Sequence, residues 1–73
     1  MAATVDARGL SCPQPVILTL NEINSGRDPQ INILVDTETS KENVSRAAVS
    51  KGCSIIEVVP ESGGYRILIQ KAE

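Results

Sequence analysis

The amino-acid sequence predicts an α+β fold, a two-layer α/β sandwich in which a mixed four-stranded sheet carries two helices on one face. Three observations lead there. Two segments space their apolar residues as one face of a helix, four shorter segments read as strands, and the residues Pro60-Glu61-Ser62-Gly63-Gly64 make a dense turn signal near the C-terminus. The element order is β-α-β-α-β-β.

Thr4 to Ala7 can form a brief first strand, and Arg8-Gly9-Leu10-Ser11 is a turn in which Gly9 is free to take a positive φ. The first helix is expected from about Pro13 to Asn24, with Val16, Ile17, Leu20 and Ile23 facing inward. Asn24-Ser25-Gly26, with Pro29 beyond, supplies its stop signal. Ile31, Ile33, Leu34 and Val35 form the second strand. A capping box of Thr39 and Glu42 is expected to open the second helix, Val44, Ala47 and Ala48 to form its inward stripe, and Gly52 to end it. Ser54 to Val59 and Tyr65 to Gln70 are the arms of a closing hairpin, with residues 60–64 as its turn.

Two right-handed β-α-β crossovers place both helices on one face of the sheet. Strands one and two then run toward the same edge, so Cys12 and residues 39–43 become neighbours there, while Gly26, Gly52 and Cys53 fall at the opposite edge. Ligands of open α/β sheets gather at the carboxyl ends of the strands, which is the Cys12 edge.

The composition narrows the chemistry. The chain has 73 residues, enough for one domain spanning 1–73 but not for a deep substrate cavity. There is no His to act as general base or metal ligand, and two Cys without His make a poor zinc site, so neither metal nor cofactor is expected. A formal charge of -2 and a single aromatic residue, Tyr65, count against nucleic-acid binding. The apolar runs, such as Val16 to Leu20, are far shorter than the ~20 residues a bilayer span requires, and no signal peptide is evident. A cytoplasmic protein, acting as a monomer and away from membranes, is expected, with both cysteines as free thiols.

Cys12 is the candidate reactive group. A cysteine is nucleophilic as thiolate, and a helix N-terminus favours that anion through its free amides and dipole. Pro13 suits the first helical position, which makes Cys12 the N-cap in the extended conformation that a residue before proline prefers. Alternatively Ser11 and Gln14 form a capping box, which moves Cys12 one position inward. Pro15 removes a further amide, so Gln14 and Val16 are the main donors left for an anion. Arg8 and Lys41 are the nearest cations by topology. A redox Cys-x-x-Cys would need a second cysteine where Pro15 stands, so what remains is a thiol that accepts a group and hands it on. Cys53 lies beyond a helix of ~12 residues, about 18 Å long, too far for a disulfide with Cys12. It is expected to be a core or rim residue.

The run Asp6-Ala7-Arg8-Gly9-Leu10-Ser11-Cys12-Pro13-Gln14-Pro15-Val16 resembles the signature of the TusA-like (SirA-like) sulfur-carrier family. Val35-Asp36 with Lys41-Glu42-Asn43-Val44-Ser45-Arg46 is most similar to the N-terminal domain of the YedF-type branch, associated with selenium metabolism. The resemblance implies strand order 1-2-4-3 and a persulfide relay without independent turnover. In it Cys12 accepts sulfane sulfur from a cysteine desulfurase or rhodanese-like donor and delivers it to an acceptor protein. In that role Asp6, Arg8, Gly9 and Leu10 would shape a docking loop and Pro13 and Pro15 would fix the approach to the helix, while Asn43 and Arg46, read on the exposed or edge side of the second helix, are candidate partner or substrate contacts. Two alternatives fit the same thiol: a regulatory module that senses oxidants, and a selenium carrier.

Overall fold

The computed structural model describes residues 3–10, 14–26, 29–61 and 63–71. Its elements are β1 (Ala3–Asp6), α1 (Gln14–Ser25), β2 (Gln30–Val35), α2 (Glu38–Ser50), β3 (Ser54–Glu61) and β4 (Gly64–Gln70). The strands form one sheet in the order β1-β2-β4-β3. β1 and β2 are parallel, and β4 is antiparallel to both β2 and β3. The sheet is therefore mixed, as expected, and β1, β2 and β3 all end at the same edge.

Strand alternation builds the core. Ile31, Ile33 and Val35 of β2 pair with Ile69, Ile67 and Tyr65 of β4. Those four isoleucines and Val35 are fully buried, as are Val44 and Ala48 of α2. Removing one such side chain from water is worth roughly 1.5–3 kcal/mol, so this layer between sheet and helices is the main source of stability. The opposite face of the sheet holds half-buried Leu34 and Leu68, with Arg66 bonded to Asn32 Oδ1 and Glu61 Oε2, both at 3.1 Å.

Four local expectations need correction. Ile17 is 43% exposed, and α1 instead buries Pro15, Thr19 and Ile23. Thr19 can be buried because its hydroxyl donates to the Pro15 carbonyl at 2.8 Å. The N-cap of α2 is Thr37, not Thr39: its backbone is extended (φ -134°, ψ 155°) and its side chain accepts from Ser40 N–H. Glu42 therefore has no capping role and is exposed in the second turn. Pro60 and Glu61 belong to β3 rather than to the turn, which an edge strand permits because proline's missing amide breaks no bond on the open side. A register shift between Ile55 and Glu57 leaves Ile56 bulged and exposed.

Candidate functional site at the carboxyl edge

Cys12, Ser11 and Pro13 lie outside the described residues, so the N-cap assignment at Cys12 does too. α1 is described from Gln14, which is exposed, while Pro15 is in the core. On the other side, the backbone leaving β1 is held amide by amide. Ala7 N–H donates to the Leu34 carbonyl at 2.8 Å and so extends the parallel ladder by one bond. Arg8 N–H donates to Asp6 Oδ1 at 3.1 Å, and Gly9 N–H donates to Asp36 Oδ2 at 2.8 Å. Gly9 has φ +78°, a conformation glycine adopts without penalty. Leu10 then presents an apolar side chain that is 38% exposed.

The electrostatics of this edge are mostly paired. The Arg8 guanidinium forms a two-pronged bond to Asp6, Nε to Oδ1 and Nη2 to Oδ2, each 2.9 Å. These bonds, and then the Arg8 amide, hold the Asp6 carboxyl at about 2, below its ordinary 3.8. The reciprocal effect raises Arg8 above its ordinary value, with Glu61 and Asp36 adding smaller attraction. Lys41 extends over Tyr65, its Nζ 4.8 Å from the ring centroid, and is 4.0 Å from Glu38 Oε2. Both cations expected near the thiol thus have protein partners.

The structure brings Asp6, Arg8, Gly9 and Leu10 together with the beginnings of both helices. Asn43 is half-buried in the second turn of α2. Arg46 is exposed but stands eight residues after Glu38, about 12 Å further along the helix, and is not brought to this edge. Cys53 is buried at the opposite edge, 6% exposed, as expected of a core residue. The residue that the sequence reading missed as part of the site is Asp36. In the sequence it stands after the last apolar residue of β2 and within the segment that resembles the YedF-type branch, with no role of its own, because its partner Gly9 is 27 positions away.

A short chain with this two-layer fold defines a broad class, and sequence comparison makes the class specific. The family model described as Sulfurtransferase TusA matches residues 3–71, and the chain belongs to that family. A candidate sulfur carrier protein of Methanocaldococcus jannaschii is 30% identical over 70 residues, covering 92% of this chain and 91% of that protein. The sulfur carrier protein TusA of Pseudomonas paraeruginosa is 26% identical, covering 94% and 89%. The crystal structure of a SirA-like protein from Desulfitobacterium hafniense superposes with a TM-score of 0.83 at 27% identity, covering 97% of this chain and 99% of that one. No helix among the described residues is long and apolar enough to cross a membrane.

Proposed function

We propose that this protein is a sulfur carrier, with Cys12 receiving a sulfane sulfur from a donor enzyme and passing it to an acceptor protein. The observation that carries the reading is the position of the residues flanking Cys12. The pinned loop at residues 6–10 and the start of α1 at Gln14 both stand at the carboxyl edge of the sheet, where an attached group meets a partner rather than the core. The names of the relatives point the same way.

The transfer is an exchange at sulfur. The Cys12 thiolate attacks the outer sulfur of a donor cysteine persulfide, a new S–S bond forms on Cys12, the donor's S–S bond breaks, and the donor cysteine leaves as a thiolate. No external oxidant is consumed. The persulfide on Cys12 then gives up its outer sulfur to the acceptor's nucleophile. A helix N-terminus favours the thiolate that begins this step and the persulfide anion that ends it. The substrates are thus carried by partner proteins, a cysteine desulfurase or rhodanese-like donor on one side and an acceptor on the other.

Incubation with a cysteine desulfurase and cysteine should add one sulfur to the wild-type protein, visible by mass spectrometry and removed by a thiol reductant. Cys12→Ser should gain none. Equal labelling of Cys12→Ser and wild type refutes the carrier reading.

A further inference from the structure

The loop that leads to Cys12 is fastened by a side chain standing in for backbone. β1 and β2 pair as far as Asp6 and Leu34, and the ladder gains one more bond from Ala7 N–H to the Leu34 carbonyl. β2 then ends at Val35. Beyond that point the acceptor for Gly9 N–H is the carboxylate of Asp36, 2.8 Å away. Asp36 is itself set in place from two sides. The next residue, Thr37, is the N-cap of α2, and Gly64 packs so closely that a Cβ there would lie 2.9 Å from Asp36 Cα.

We infer that Asp36 is a positioning residue for sulfur transfer, holding residues 8–10 in their docking shape before a partner arrives. The inference rests on the carrier reading above. Glycine loses more backbone freedom on ordering than any other residue, so Gly9 is where an unfastened loop would spread most widely. A loop ordered in the free protein does not have to be ordered on docking, and the entropy it has already lost strengthens association. Asp36 and Gly9 are both exposed, so breaking their bond leaves no buried group without a partner. Its loss should therefore be felt in docking far more than in folding.

The test uses the full chain, with Asp36→Ala and Asp36→Asn compared with wild type in steady-state sulfur transfer from a cysteine desulfurase as carrier concentration is varied. Asp36→Ala should raise the half-saturating carrier concentration about tenfold, the scale of one charge-assisted hydrogen bond, with the maximal rate changed less than about twofold. Asp36→Asn, whose amide oxygen can still accept from Gly9 N–H, should recover most of that loss. Alkylation of Cys12 by iodoacetamide, which involves no docking, should change less than about twofold in either variant. An unchanged half-saturating concentration in Asp36→Ala, with wild type labelled normally, overturns the tether alone. So does an Asn variant as impaired as the Ala variant. If wild type itself accepts no sulfur, the carrier reading falls and this inference with it.

Discussion

At the amino edge of the sheet, where the helices end, amides bond to backbone: Lys51 N–H to the Ala47 and Ala48 carbonyls and Cys53 N–H to Ala48 beyond α2, and Lys71 N–H to Pro29 at the end of the β2–β4 ladder. At the carboxyl edge several corresponding amides are held by side chains instead, Arg8 by Asp6, Gly9 by Asp36 and Ser40 by Thr37. Backbone closure depends only on chain geometry, and it is found beside the buried Cys53. Side-chain closure can be altered one residue at a time, and it is found where the chain runs into Cys12. The comparison teaches that the two edges of the sheet are built by different means: Cys53 is part of the backbone-closed scaffold, and the loop of residues 6–10 is fastened by side chains that single substitutions can release.

The most severe way to break the carboxyl edge is Gly64→Ala. A Cβ at this position would overlap the Val35 carbonyl oxygen and press on Asp36 Cα, both of them backbone atoms with little room to give. A loss of about 3 kcal/mol is expected, the upper end of the cost of overpacking, read as a fall in the urea unfolding midpoint with an unchanged slope. A loss below about 1 kcal/mol would show that the hairpin and β2 separate easily and do not fix Asp36.

A smaller effect is expected from Thr37→Ala, which leaves Ser40 N–H without its side-chain acceptor at 3.0 Å. Loss of an N-cap costs about 1 kcal/mol, and because the hydroxyl does not titrate the deficit should be constant with pH. Urea midpoints across the acid range check both statements. A deficit that varies with pH would show that the lost stability does not come from the hydroxyl cap.

What the sequence made legible follows from how local each signal is. The helices and strands announce themselves by periodicity over a few residues, and Gly52 by its place after an apolar stripe, so element order and the two-layer fold could be read directly. Strand order 1-2-4-3 came only through the family resemblance, since β2 and β4 are far apart in the chain. Thr37 and Thr39 are both plausible caps by composition. The choice between them depends on where β2 stops. Ile17 fits the inward spacing of α1 as well as Val16 does, yet the buried side of the helix is the one carrying Pro15, Thr19 and Ile23, and a threonine whose hydroxyl bonds its own helix can be buried there. Asp36 was the least legible, because its role exists only once Gly9 has been brought beside it.

The mildest perturbation isolates charge from geometry at the carboxyl edge. In Asp6→Asn the amide oxygen can still accept from Arg8 N–H, but the paired charges are gone. Asp6 titrates at about 2 in the folded protein, against an ordinary 3.8, mainly because Arg8 bonds its carboxylate. A carboxyl group depressed by folding stabilises the folded state above its unfolded value and loses that contribution as pH falls through its folded value. The wild type should therefore lead Asp6→Asn by a constant small margin above roughly pH 5, and the margin should shrink as pH falls below that and vanish only below about pH 2. Both side chains are more than half exposed, 54% for Arg8 and 55% for Asp6, so salt should reduce the margin as well. Urea midpoints of the two proteins at several pH values in that window, each with and without added salt, read the effect. A margin that persists unchanged below about pH 2 would mean that it does not come from the ionised carboxylate and that the ion pair contributes nothing.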